Sequence, residues 1–105
     1  MAAVNMNQEQ FQIAIQGSKP VLVDFWAPWC GYCRRIGSAF DKVAEQKEQE
    51  ILLAKVNIDE EPRLAELEQI EVIPTLVLYR EGKALASIVA PQSKSAIEQF
   101  LAEHL

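Results

Sequence analysis

The sequence predicts an α/β protein in which a sheet carries helices on both faces. Three observations lead there. A short apolar run over residues 21–26 passes into a segment whose apolar side chains recur three and four residues apart. A second apolar run, 51–58, is followed by a proline-led segment that suits a short helix. Two further apolar runs flank Glu81-Gly82, and a last amphipathic segment ends the chain.

Each element has a local reason. Residues 7–16 satisfy two periods, since Phe11, Ala14 and Ile15 suit a helix while Phe11, Ile13 and Ile15 alternate as in a strand. The helix is preferred because Asn7 can cap it, Glu9 suits its first turn and Gly17 can stop it. Ser18-Lys19-Pro20 leads into the buried strand 21–26, rich in β-branched and aromatic residues. From Cys33 onward, Ile36, Phe40, Val43 and Lys47 mark one side of an amphipathic helix, with Arg35, Asp41, Lys42 and Glu45 between them and a solvated end over 46–50. After strand 51–58, Asp59-Glu60-Glu61-Pro62 places acids and a proline where a helix dipole is positive, and Leu64 and Leu67 are expected to face the core. Residues 73–75 lead into strand 76–79, Glu81-Gly82 makes a tight turn, and 83–89 returns as the partner strand. Ser93 or Ser95 caps the last helix, whose inner face is Ile97, Phe100, Leu101 and Leu105.

The 105 residues, 50% hydrophobic and 24% charged, suit one domain over 1–105 that folds alone as a monomer and buries about 65% of its unfolded surface. No internal repeat or low-complexity tract interrupts it. With 10 Lys plus Arg against 15 Asp plus Glu, the net charge of −5 argues against nucleic acid or an anionic membrane as partner. No stretch approaches the roughly 18 apolar residues of a membrane span. Residues 1–16 show no basic region followed by a long apolar run, so the expected location is cytoplasmic, although a mature exported domain would also lack its signal. In the cytoplasm a cysteine pair is more often catalytic or metal-binding than a structural staple.

Both cysteines lie in Trp26-Ala27-Pro28-Trp29-Cys30-Gly31-Tyr32-Cys33. Two thiols separated by two residues can close a small disulfide ring and so carry two electrons. Cys30 falls where a strand hands over to a helix N-terminus, and the unpaired amides and dipole there favour an anionic sulfur. A metal site is the competing reading. Tetrahedral zinc needs about four N or S ligands and the chain adds only His104, so no metal is expected, although a cluster shared between two chains stays open. Asp24 shares its strand face with Leu22 and Trp26, so alternation buries it. Desolvation would raise its pKa above the usual ~3.9 and let it take a proton from Cys33.

Val23-Asp24-Phe25-Trp26-Ala27, then Trp29-Cys30-Gly31 and Cys33, resembles the active-site signature of thioredoxins. Lys55-Val56-Asn57-Ile58-Asp59, Ile73-Pro74-Thr75 and Gly82 follow in the order and near the spacing of that family, so the resemblance covers nearly the whole chain. It implies the thioredoxin fold, with a central mixed β-sheet, and a protein disulfide reductase that needs no bound cofactor. Its electrons would come from a thioredoxin reductase and its substrates would be disulfide-containing proteins. Cys30 would be the nucleophile, Cys33 the resolving thiol and Asp24 the proton acceptor. Lys55 would lie close to that carboxylate and moderate its shift; a surface lysine at a strand edge is the plain alternative. Ile73-Pro74-Thr75 would hold a cis proline packed against the cysteines and leave a backbone edge for an extended substrate. Trp29, Gly31, Tyr32, Val89 and Ala90 would complete the docking patch, with Trp26 packed under the loop. Arg34 matches a basic position in the family; Arg34 and Arg35, next to Cys33, would favour thiolate, unless they are simply solvated.

Several positions depart from the family pattern. Tyr32 stands where most thioredoxins have proline, restoring an N–H at the helix start, and a more oxidising couple is expected. Gly37-Ser38 replaces a proline kink, so the helix should bend less there or not at all. Glu71-Val72 and Ala90 differ near the docking surface, where they bear on partner choice. The alternatives are an oxidase, isomerase or relay for a narrow partner set, and a binding module whose cysteines are incidental.

Overall fold

The computed structural model describes residues 3–105; Met1 and Ala2, the first two residues of the stretch read for an export signal, lie outside it. The elements are β1 (Val4–Asn5), α1 (Gln8–Ile15), β2 (Val21–Trp26), α2 (Gly31–Lys47), β3 (Leu52–Asn57), α3 (Pro62–Leu67), β4 (Thr75–Arg80), β5 (Lys83–Val89) and α4 (Lys94–His104). The sheet runs β1-β3-β2-β4-β5; β1, β3 and β2 are parallel, and β4 and β5 are each antiparallel to the strand before them in that order. This is the mixed α/β sheet that the thioredoxin resemblance implied.

Period-two alternation sorts the strands between two cores. Leu22, Leu53, Leu76 and Leu78 meet Ile36, Phe40 and Val43 of α2 and Ile97, Phe100 and Leu101 of α4. On the other face Val21, Val23, Phe25, Val56 and Tyr79 meet Phe11 and Ile15 of α1 and Leu64 of α3. Phe11 makes edge contacts with both Phe25 and Tyr79. β2 is therefore covered on both sides, and its carboxyl end delivers the cysteine loop.

The two periods competing in α1 resolve in favour of the helix. Phe11 and Ile15 are buried and Ile13 is 69% exposed, as a 3.6-residue period requires. Asn7 Oδ1 accepts from Gln10 N–H at 2.8 Å while Asn7 N–H donates to Gln10 Oε1 at 2.9 Å, a reciprocal capping box. Gly17 follows the helix, and its N–H donates to Ala14 O at 3.2 Å. Ser93, rather than Ser95, caps α4, its Oγ accepting from Ala96 N–H at 3.1 Å. α2 begins at Gly31, two residues earlier than read from the apolar period, and continues through Gly37-Ser38 as one helix.

Other expectations need correction. Leu67 is 55% exposed and Leu105 49% exposed: each stands at the end of its helix, where the core-facing stripe has run past the sheet. Pro62 opens α3, but Glu61 is drawn away from that helix start, its Oε1 accepting from Gln8 N–H at 2.8 Å and tying α1 to α3. β1 was not anticipated, because two residues are too few to show a period.

The turn between β4 and β5 has φ of 53° at Glu81 and 82° at Gly82, with Arg80 and Lys83 paired beside it. Two positive φ values are the type I′ requirement. Gly82 N–H donates to Ile15 O at 2.7 Å, and a Cβ on Gly82 would stand 2.9 Å from Gln16 Nε2. Gly82→Ala is expected to cost roughly 1–2 kcal/mol, read as a lower urea midpoint; an unchanged midpoint would contradict this turn geometry.

Candidate active site

Beyond Trp26 the chain leaves β2, and Cys30 N–H donates to Ala27 O at 3.1 Å, turning the loop so that Cys30 becomes the N-cap of α2. Cys30 has extended backbone (φ −87°, ψ 108°), and its Sγ accepts from Cys33 N–H at 3.1 Å. The helix start thus presents an amide to this sulfur. Tyr32 N–H, which was expected to serve the sulfur as well, makes no hydrogen bond within the chain among the described residues. Cys30 and Cys33 are bonded as a disulfide with Cα atoms 5.2 Å apart. Cys30 is half-buried while Cys33 is 2% exposed, so a partner approaches Cys30 first.

Asp24 is 1% exposed on the face of β2 that α2 covers, where the inward stripe of the helix begins at Cys33. Its pKa is pushed up to about 7, chiefly by burial, with Lys55 pulling it down and Asp41 pushing it up. Asp24 Oδ1 has no hydrogen-bond partner among the described residues. Lys55 lies directly across the ladder from Asp24, and its Nζ pairs with Asp41 Oδ1 at 3.2 Å. One ammonium therefore serves two carboxylates. Lys55 and Trp26 also line a cleft of about 460 Å³ with Asn5, Asn57 and Glu61, which Asp24 itself does not line. Trp26 is half-buried, and its Nε1 is sealed from solvent with no hydrogen-bond partner among the described residues.

Exposed apolar side chains stand on the cysteine loop and on the segments tied to it through Tyr32–Pro91 and Ala90–Pro74. Trp29 is 67% exposed, its ring fixed by a 3.1 Å hydrogen bond from Nε1 to Asp59 Oδ1. Val72 and Val89 are likewise exposed, and Gly31 has open space beside it. The Ile73–Pro74 peptide bond is cis. Pro74 O accepts from Ala90 N–H at 2.8 Å, and Thr75 Oγ1 donates to Val72 O. The amide and carbonyl of Ile73 make no hydrogen bond within the chain among the described residues, leaving a short free backbone edge.

Arg34 Nη1 donates to Pro28 O at 2.7 Å, and the Arg35 guanidinium stands 5.9 Å from the Tyr32 ring centroid. Both cations thus brace the cysteine loop. The expected residues converge on one end of the sheet. Sequence reasoning missed Asp59, which orients Trp29; Asp41, which shares Lys55; and Pro91, whose carbonyl accepts from Tyr32 Oη at 2.9 Å. Asp59 alone had a signal, lying at the carboxyl end of a strand in an α/β sheet, where ligands gather.

A half-buried cysteine at a helix N-terminus, bonded to a buried one on the helix that covers the face of a buried carboxylate, defines a dithiol–disulfide α/β protein. The Thioredoxin family model matches residues 2–103. The chain is 40% identical to "Thioredoxin" of Alicyclobacillus acidocaldarius subsp. acidocaldarius over 104 residues, 99% of each protein. It is 40% identical to "Thioredoxin 1" of Nostoc sp., covering 99% of this chain and 98% of the relative. It is 37% identical to "Thioredoxin M-type, chloroplastic" of Chlamydomonas reinhardtii, covering 95% of this chain and 72% of that protein. The chain belongs to the thioredoxin family, and its disulfide-capable Cys30–Cys33 pair makes it a thiol–disulfide oxidoreductase.

Proposed function

We propose that the protein reduces disulfides of protein substrates in the cytoplasm and is recharged by a thioredoxin reductase. In the dithiol form, the Cys30 thiolate attacks one sulfur of the substrate disulfide; the S–S bond breaks, one substrate sulfur leaves as thiolate, and a mixed disulfide forms on Cys30. Cys33 then gives its proton to the Asp24 carboxylate and attacks Cys30 Sγ, releasing the second substrate thiolate and closing the Cys30–Cys33 disulfide. Two electrons pass from the dithiol to the substrate. A reductase returns them.

The observation that carries this reading is the pairing of a half-buried Cys30 with a buried Cys33 on the helix that covers the Asp24 face of β2, where the Asp24 pKa of about 7 suits proton transfer near neutral pH. Lys55 limits the upward shift, and Arg34 adds positive charge near the sulfur. The free edge at Ile73, with Pro74 and Thr75 behind it, receives an extended segment of the substrate, while Trp29, Gly31, Tyr32, Val89 and Ala90 contact its side chains. These exposed apolar side chains select loosely structured segments rather than charged surfaces. The test is reduction of a protein disulfide by dithiothreitol, followed as precipitation of the released chain. Acceleration by catalytic amounts of the protein is expected, and none would refute the reading.

Tyr32 favours a second reading, an oxidant or isomerase for fewer partners. Its N–H, unbonded in the disulfide form, is free to turn toward a sulfur anion and stabilise the dithiol state. Tyr32→Pro removes that donor and is expected to lower the reduction potential, each 30 mV corresponding to about 1.4 kcal/mol. An unchanged or higher potential on titration against dithiothreitol would dismiss this role.

A further inference from the structure

Tyr32 and Ala90, which depart from the family pattern far apart in the sequence, meet in space. Tyr32 Oη donates to the carbonyl of Pro91 at 2.9 Å, across 59 positions of sequence. Ala90, directly before Pro91, has φ of 47°, a left-handed conformation that a residue with a Cβ adopts at a cost of roughly 1–2 kcal/mol. Its N–H donates to Pro74 O at 2.8 Å. The strained residue is therefore bracketed by two hydrogen bonds, one to the cis-proline loop and one, through Pro91, to the cysteine loop. The Arg35 guanidinium also stands over the Tyr32 ring, 5.9 Å from its centroid.

We propose that Tyr32 is a specificity-determining positioning residue: through Pro91 it latches the 89–91 segment to the cysteine loop and so preorganises the edge on which a protein substrate docks. The inference rests on the reductase reading above and deepens it. A proline between the two cysteines has no hydroxyl, so a chain with that residue cannot make the latch. A glycine at position 90 would hold the left-handed turn without strain but would also leave it for many other conformations. Here alanine narrows the alternatives and the tyrosine hydroxyl selects one of them. A preorganised edge spends less binding free energy on ordering itself and rejects segments that need the loop to move. Tyrosine thereby couples substrate choice to the same two-residue insert that tunes the thiols.

The test uses the full chain with Tyr32→Phe, which retains the ring and the backbone N–H and removes only the hydroxyl. A hydrogen bond of ordinary strength gives the scale, about three- to tenfold. KM for a protein disulfide is expected to rise by about that factor, with kcat changing less than KM. The exchange protection of the Ala90 amide, measured by NMR in the oxidised protein, is expected to fall by a similar factor. Ala90→Gly combined with Tyr32→Phe should weaken docking by more than the two single changes predict, because each alone leaves one restraint on the turn. Unchanged Ala90 protection together with unchanged KM would overturn the latch, as would additive effects in the double variant. Absence of protein disulfide reduction by the unsubstituted chain would instead overturn the reductase reading, and the amide protection would still report whether the latch exists.

Discussion

Cys30→Ser is expected to abolish turnover of protein disulfides, a loss of roughly a thousandfold or more, because a serine hydroxyl is not appreciably ionised at neutral pH and does not form disulfides. The remaining thiol cannot substitute for it. Cys33 is 2% exposed, so a bulky protein disulfide has little access to its sulfur. The fold should survive, since serine is nearly isosteric and can still accept the hydrogen bond from Cys33 N–H that caps α2. The measurement is dithiothreitol-coupled reduction of a protein disulfide beside a far-ultraviolet circular dichroism spectrum. Retained turnover in a folded variant would contradict Cys30 as the nucleophile, whereas lost turnover with unchanged biological activity would show that the cysteines are incidental and support a binding module.

Asp24→Asn should change stability and catalysis together, in opposite directions at alkaline pH. In the folded protein Asp24 holds its proton to about pH 7, whereas the unfolded chain releases it near the ordinary aspartate value of 3.8. The folded state therefore binds more protons between these values, and stability falls as pH rises from about 4 to 7. The full difference corresponds to roughly 4 kcal/mol above pH 7. Asparagine removes this penalty but leaves a buried amide short of partners, costing about 1–3 kcal/mol. A net gain of about 1–3 kcal/mol is expected at pH 8, reversing to a loss below pH 4, as read from urea midpoints across that range. Turnover should fall by about a hundredfold as Cys33 loses its proton acceptor, and the rise in activity of the unsubstituted protein through pH 7 should disappear. A variant whose stability keeps the same pH dependence would refute the assignment of the raised carboxyl to Asp24.

The strands and helices were largely legible because their periods were clean. Phe11, Ile15, Ile36, Phe40, Val43, Ile97 and Phe100 all point inward as their spacing requires. Asp24 was legible for the opposite reason, a carboxylate sitting where the alternation demands an apolar residue. What escaped lies at ends and in long-range polar pairing. Leu67 and Leu105 fit their stripes, but a stripe does not say where the sheet beneath it stops. The contacts of Trp29 with Asp59, Lys55 with Asp41 and Tyr32 with Pro91 join residues that no period relates, and only the folded topology brings them together. The cis bond at Pro74 was anticipated through family resemblance alone, since an isolated X–Pro sequence favours trans.

The most direct test of the account is the equilibrium of the Cys30–Cys33 pair, titrated against dithiothreitol and glutathione buffers with alkylation of free thiols. The account predicts one reversible two-electron transition, with a potential below the roughly −220 to −260 mV poise of cytosolic glutathione by extraction. A clearly higher potential would contradict the reductase direction and favour an oxidant or isomerase, and no two-electron transition at all would contradict redox function.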